Sequence, residues 1–132
     1  MNRERLWLAV VLVVLVPAGF FVKLGVPGVL GRWCCLYGAA ILYEVFWVVF
    51  LRLCFSRLSA SACAGIVLVV TCALEVLQLW QPPSLTAIRS TFWGAALLGD
   101  TFDKWDFPHY VIGSALGGWL VYLMRASRAA RP

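Results

Sequence analysis

Long apolar runs without charge constrain this chain more than any other feature. Residues 6–22 and 107–124 contain no charged side chain, and residues 62–80 contain only Glu75. A helix rises about 1.5 Å per residue and a bilayer core is about 30 Å thick, so a spanning helix needs about 20 residues. No segment alternates apolar and polar residues as the strands of a membrane β-barrel do. The sequence therefore predicts an all-α integral membrane protein.

Four transmembrane helices are predicted within one domain of 132 residues, with a short helix before the last. The spans cover residues 6–22, 33–53, 62–80 and 107–124. Pro82 and Pro83 end the third span, and apolar residues then recur at helical spacing over residues 84–98, which predicts an interfacial or re-entrant helix. The first run is longer than the apolar part of a signal peptide, and no Ala-x-Ala site follows it, so a retained helix is favoured.

The positions of Lys and Arg indicate how the helices are oriented. Most of the 11 basic residues lie before the first span, between the second and third spans, and after the fourth. The positive-inside rule then places both termini in the cytoplasm. Because these helix-end residues explain the net charge of +5, we expect membrane lipids as partners and no nucleic acid.

No metal site, cofactor or catalytic group is indicated. The five cysteines have no C-x-x-C spacing. Asp100, Asp103 and Asp106 are spaced D-x-x-D-x-x-D, which is not the spacing of a calcium-binding EF-hand loop. The sequence has neither a G-x-S-x-G motif nor a glycine-rich phosphate loop. We therefore predict no cofactor and favour a non-enzymatic role.

Five polar residues in or beside the apolar runs are candidates for a site: Glu44, Glu75, Gln78, Arg89 and Asp106. Ionisable residues inside a membrane are costly, so they are usually paired, interior and functional. Glu75 and Gln78 share one face of the third span. Two interpretations stay open for Glu75. One is a hydrogen-bonded lock between helices, and the other is a site for a ligand, a proton or catalysis with Glu75 as general base.

Arg89 follows the third span closely enough to fold back on Glu75. Its guanidinium would either clamp a phosphate or carboxylate bidentately or form an ion pair with Glu75 or Asp106. Glu44 lies deeper, near the middle of the second span, where Gln78 or Arg89 is the expected partner and proton handling is the alternative. Asp106 is also expected to be the N-cap of the fourth span.

Small residues line one side of the fourth span, in the pattern Gly113-x-x-x-Gly117. Such a stripe permits close contact between helices. The contact is either within the bundle, which is the favoured interpretation, or between two copies in a homo-oligomer.

A series of motifs runs through the second half of the chain: Glu75-x-x-Gln78, a Pro-Ser-Leu turn, Arg89, Gly99-x-x-Phe102, Asp106 and Tyr110-x-x-Gly113. This series resembles a bacterial family of small membrane proteins, domain of unknown function 2809. The chain departs from the family's Gly-Asp-x-Leu-Trp segment, with Tyr43 for the glycine and Glu44 for the aspartate. The order of Glu, Gln, Arg and Asp is similar, more distantly, to VanZ-like proteins linked to glycopeptide-antibiotic resistance. The resemblance implies a bacterial cytoplasmic membrane and a link to the cell envelope, and it implies no known reaction.

The leading hypothesis is an outward-facing site that binds an anionic or lipid-linked envelope ligand. In this hypothesis Arg89 holds the anion, Glu75 and Gln78 orient it, and Asp106 and Glu44 complete the site. The alternative is a structural or interaction subunit in which the same residues only lock the helix bundle. Proton-coupled transport is a third hypothesis, for which Glu44 is the only indication.

Overall fold

The computed structural model describes residues 3–24, 28–99 and 101–129, and every regular element in these ranges is a helix. The helices are α1 (Arg3–Leu24), α2 (Val29–Cys54), α3 (Ala60–Leu77), α4 (Pro83–Arg89), α5 (Phe92–Leu98) and α6 (Asp106–Ala129). A π-helical segment, Cys34–Gly38, lies within α2. The predicted all-α class is confirmed.

Three of these helices, α1, α2 and α3, are long and apolar enough to cross a membrane. They correspond to the first three predicted spans. With 24 residues α6 is also long enough, but Pro108, His109, Ser114 and its glycines make it less apolar, and it does not meet the same standard. Three of the four predicted spans are therefore supported, and the fourth stays a prediction.

Two of the spanning helices differ from their predicted limits. α2 starts earlier than predicted, at Val29, because Gly28 adopts a φ of 103° that few other residues tolerate. α3 ends earlier than predicted, at Leu77, because the chain turns tightly there and the Trp80 amide donates to the Leu77 carbonyl at 3.0 Å. These shifts lengthen α2 and leave a short irregular segment before α4.

The prediction of one helix over residues 84–98 is wrong, because α4 and α5 are separate helices. The Thr91 hydroxyl caps α5 by accepting a hydrogen bond from the Gly94 amide at 3.0 Å. A Cβ atom at Gly94 would collide with the Ile88 carbonyl oxygen, so glycine allows the sharp turn between the two helices. The apolar spacing continues across this break, and periodicity alone therefore predicts a single helix.

α2 and α6 form the central pair of the bundle, with α1 packed on α2 and α3 packed on both. Gly113 and Gly117 of α6 face α2. An added Cβ would lie 2.5 Å from Glu44 Cβ in the first case and 2.9 Å from Val48 Cβ in the second. Both glycines are thus used for packing within the chain, and a homo-oligomer through them stays a prediction.

The two ends of the bundle differ in character. We call the end with the start of α1, residues 55–59 and the end of α6 the terminal end, and the end with α4, α5 and residues 101–105 the loop end. The apolar core lies in the half towards the terminal end and comprises Leu8, Leu12, Val45, Val48, Val49, Cys63, Val67 and Val121. Most buried polar side chains lie in the other half, namely Glu44, Thr71, Glu75, Gln78, Arg89 and Ser114.

At the terminal end, Arg52 ties α1 to α2 and to the loop that follows. Its Nε and Nη2 atoms donate to Glu4 Oε1 at 3.0 and 2.6 Å, and its Nη1 donates to the Ser56 and Leu58 carbonyls. Arg52 is only 4% exposed. A buried guanidinium can supply this set of bonds because its donors form a rigid planar fork. The distribution of charge along the chain does not reveal this contact.

Replacing Arg52 by lysine is expected to lower the free energy of unfolding by about 1–2 kcal/mol, because an ammonium cannot reproduce the fork. Thermal unfolding in detergent micelles measures the effect. Arg57→Lys is the matched control, since Arg57 is exposed in the loop whose carbonyls Arg52 binds. Equal stability of the two variants would contradict the role of Arg52.

Candidate functional site

Glu75 is the centre of a group of polar residues at the loop end, and its side chain is 1% exposed. Its Oε1 accepts a hydrogen bond from the Asp103 amide at 2.7 Å. Its Oε2 accepts from the Tyr110 hydroxyl at 2.8 Å and from Gln78 Nε2 at 3.2 Å. Donors of the chain itself therefore satisfy the carboxylate and join α3 to α6. We call Glu75, Gln78, Asp103, Asp106 and Tyr110 the polar cluster.

Gln78 joins the polar cluster to the end of α5. Besides the bond to Glu75, Nε2 donates to the Leu98 carbonyl at 3.2 Å, so both N–H groups of the amide are used. Oε1, in contrast, is buried without a hydrogen-bond partner. Gly99 has a φ of 66° and lies so close that a Cβ would collide with Gln78 Nε2. Glycine at this position therefore lets the end of α5 reach the amide.

Arg89 binds backbone carbonyls rather than a carboxylate. Its Nη1 donates to the Trp80 carbonyl at 3.1 Å and its Nη2 to the Leu77 carbonyl at 3.0 Å. Leu77 is the last residue of α3 and Trp80 lies in the turn that follows it, where the helix dipole attracts a cation. The predicted ion pair with Glu75 or Asp106 is therefore not formed. Arg89 anchors the end of α4 to the end of α3.

Asp103 and Asp106 organise the start of α6. The helix begins at Asp106, which lies in the first turn, and Asp103 supplies the acceptors before it. Asp103 Oδ1 accepts from the Trp105 amide, and the Asp103 carbonyl accepts from the Asp106 amide, both at 2.9 Å. The prediction of Asp106 as N-cap is replaced by this arrangement.

Glu44 lies in α2 beside Ser114, which is one turn of α6 farther from the loop end than Tyr110. Its side chain is fully buried. Its Oε2 accepts a hydrogen bond from the Ser114 hydroxyl, while Oε1 has no partner. The predicted partners, Gln78 and Arg89, do not bind it. The reason is the close approach of α6 at Gly113, which places the neighbouring Ser114 against the carboxyl group.

A cavity of about 600 Å³ lies between α1, α2 and α3, next to α5 and the start of α6. Its walls are mainly apolar and include Phe46, Trp47, Phe92 and Trp93. The polar residues Tyr43, Thr71, Gln78, Asp106 and Tyr110 are also among its lining residues. Pockets of about 300–1,000 Å³ with apolar walls and a few polar groups are typical of small-molecule sites.

The structure thus divides the five predicted site residues into two groups. Gln78 and Asp106 line the cavity, whereas Glu44, Glu75 and Arg89 do not. Sequence reasoning missed the roles of three further residues that bind these carboxyl groups, Asp103, Tyr110 and Ser114. A signal for two of them was available, since Asp106, Tyr110 and Ser114 recur every four residues and so share one face of α6.

The aspartates before α6 do not assemble a metal site in the described part of the chain. Asp100 lies outside the described residues. Within them, no group of three or more His, Cys, Asp or Glu side chains is arranged to hold a metal ion. Asp103 instead accepts hydrogen bonds from the Trp105 and Asp106 amides just before α6.

The chain belongs to the family described as "Protein of unknown function (DUF2809)", which matches residues 29–114. This match confirms the resemblance predicted from the motifs. The matched region contains the whole polar cluster and the cavity residues contributed by α2, α3, α5 and α6. No curated protein and no solved structure matches the chain. The more distant similarity to VanZ-like proteins is not shown and stays a prediction.

Proposed function

We propose that this chain is a membrane protein that binds an amphipathic ligand, such as a lipid, in the cavity at its loop end. The observation that carries the proposal is the cavity itself, with a volume of about 600 Å³ and aromatic and aliphatic walls. Such walls suit an acyl or isoprenoid chain, and a few polar groups suffice to orient its head. Gln78 and Asp106 supply those groups.

The proposal places the whole bundle in the bacterial cytoplasmic membrane with α6 as a fourth span. α6 packs on both α2 and α3, so it crosses the bilayer if they do. Its polar groups Tyr110 and Ser114 are hydrogen-bonded to Glu75 and Glu44, which makes its lower apolarity compatible with lipid outside. The positive-inside rule then puts the termini in the cytoplasm and the cavity towards the cell envelope.

The remaining candidate residues would build the site rather than contact the ligand. Glu75 binds Asp103 and Tyr110, and Arg89 anchors the end of α4 to the end of α3. Both Nη atoms of Arg89 are bound to carbonyls, and only Nε is buried without a partner. Because Arg89 also does not line the cavity, it has no role as an anion clamp in this proposal. A satisfied Glu75 is likewise a poor general base, so the proposal is binding and not catalysis.

A second candidate function is a structural or interaction subunit without a ligand. It is favoured by the observation that three groups of the chain satisfy the Glu75 carboxylate. In that case the polar cluster only locks the bundle, and the cavity holds no specific molecule. The two functions differ in whether the purified protein retains a particular lipid.

Filling the cavity tests the proposal. Ala96 of α5 lines it and is partly open to the outside, so Ala96→Trp would place an indole in the space of a ligand. Native mass spectrometry of gently purified protein is expected to show at least about tenfold less bound lipid than the wild type, a loss of about 1.4 kcal/mol of binding free energy.

The matched control is Ala73→Trp, on an exposed position of α3 outside the cavity. It adds the same side chain to the lipid-facing surface and should leave retention unchanged. If both variants and the wild type hold the same unspecific mixture of lipids, the binding function is wrong and the structural candidate takes its place.

A further inference from the structure

We infer that the ligand of the cavity carries a primary ammonium head group, held between Gln78 and Asp106. This inference rests on the proposed function and specifies its ligand class. It reverses the charge of the ligand expected from the sequence, which was anionic.

The hydroxyl and amide donors at the cavity are already used within the chain. Both N–H groups of Gln78 are bound, to Glu75 Oε2 and to the Leu98 carbonyl. The Tyr110 hydroxyl donates to Glu75 Oε2. The remaining hydroxyls donate to backbone carbonyls, that of Tyr43 to Leu97 and that of Thr71 to Val67.

Acceptors, in contrast, remain free. Gln78 is 5% exposed, and its Oε1 is buried without a partner. A buried acceptor in that state is costly, and a ligand that brings a donor would relieve the cost. Asp106 adds a carboxyl group, which accepts hydrogen bonds when ionised. Near Gln78 and Asp106 the cavity thus offers acceptors to a ligand, and the indoles of Trp47 and Trp93 are the lining side chains left to act as N–H donors.

The charges around the cavity point in the same direction. Asp106 is the only charged side chain among its described lining residues, and the charges of Glu75 and Asp103 act on it. The guanidinium of Arg89 is bound to the Trp80 and Leu77 carbonyls and does not line the space. A head group with a net negative charge would therefore meet repulsion without a compensating cation, whereas a zwitterionic head group brings its own cation to Asp106.

Two indole N–H groups of the lining residues could favour an anion, those of Trp47 and Trp93. Trp47 Nε1 is buried without a hydrogen-bond partner. A neutral indole N–H can donate a hydrogen bond to an anion, but it carries no positive charge to offset the repulsion from the Asp106 carboxylate. An ammonium, by comparison, brings three donors to a carboxylate and an amide oxygen. The balance favours the cation.

The experiment compares lipids that differ only in the head group. Nanodiscs are prepared with equal amounts of phosphatidylethanolamine, phosphatidylcholine and phosphatidylglycerol of identical acyl chains, and the lipids retained by the released protein are identified by native mass spectrometry. Phosphatidylethanolamine and phosphatidylcholine have the same net charge, but only the first has N–H donors. We expect at least about fivefold enrichment of phosphatidylethanolamine over phosphatidylcholine, about 1 kcal/mol, and exclusion of phosphatidylglycerol.

Two variants locate the effect. Asp106→Asn should bring the ratio of the two zwitterionic lipids close to one, because the carboxylate that pairs with the ammonium is lost. Asp106→Glu, which restores the charge, should recover the enrichment in part.

The outcomes distinguish failure of the ammonium head group from failure of the proposed lipid-binding function. Equal retention of phosphatidylethanolamine and phosphatidylcholine, or preference for phosphatidylglycerol, would overturn the ammonium head group. If Ala96→Trp nevertheless removes the retained lipid, the binding function is upheld. Equal enrichment of diacylglycerol in a parallel sample would also overturn it, because a neutral hydroxyl would then suffice. Absence of any retained lipid would refute the binding function itself.

Discussion

Gly113→Ala is expected to destabilise the bundle by about 2 kcal/mol or more, although it adds a single methyl group. The new Cβ would lie 2.5 Å from Glu44 Cβ and 2.8 Å from the Ile41 carbonyl oxygen. The backbone of α2 cannot rotate away as a flexible side chain would, so α6 must shift from its partner. Overpacking a tight contact costs about 1–3 kcal/mol, and the shift would also strain the Ser114–Glu44 hydrogen bond.

Gly65→Ala is the control for this prediction. Gly65 lies within α3, and an added Cβ meets no atom within 4 Å. Alanine is the better helix former by about 1 kcal/mol, so this variant should be neutral or slightly stabilising. Denaturation in mixed micelles, followed by circular dichroism, compares the two midpoints. Shifts of equal size would show that α2 and α6 are not in close contact at Gly113.

The membrane helices could be predicted because their signal is long and local. Uncharged runs of helical length leave few alternatives in a bilayer, and α1, α2 and α3 follow them closely. The break between α4 and α5 could not be found in this way. It depends on the contact of Gly94 with the Ile88 carbonyl, and apolar spacing carries no information about such a contact.

The site was harder to predict because Arg89 and Glu44 bind backbone carbonyls and a hydroxyl group, not the side chains expected from their charge. Opposite charge suggested that Arg89 would pair with Glu75, but the carbonyls that end α3 are closer to the guanidinium. The partner of Glu44 depends on which part of α6 packs against it. Gly113 determines that contact, and no local sequence pattern predicts it. Gln78 and Asp106 were found as candidates, while the cavity that they line required the packing of four helices.

Glu75→Leu is expected to lower the free energy of unfolding by about 3 kcal/mol or more, the largest effect among the variants considered. The leucine leaves the Asp103 amide, the Tyr110 hydroxyl and one N–H group of Gln78 without the acceptor they share. Each buried donor without a partner costs about 1–3 kcal/mol. Hydrogen exchange should also become faster in residues 101–105, whose tether to α3 is removed. Val76→Leu, at the exposed neighbouring position, should change neither quantity.

Glu75→Gln distinguishes the two candidate functions more sharply than the leucine variant. Its amide keeps one acceptor oxygen, so the bundle should lose only about 1–2 kcal/mol, and the protein can still be purified. The NH₂ group of the new glutamine then faces a donor that the carboxylate oxygen had accepted from. The two donors repel, which would displace Gln78 or the segment before α6. If the cavity binds a lipid, retention should fall together with that displacement. If lipid retention is as unspecific in the wild type as in the variant, Glu75 has only a structural role and the cavity has no ligand to lose.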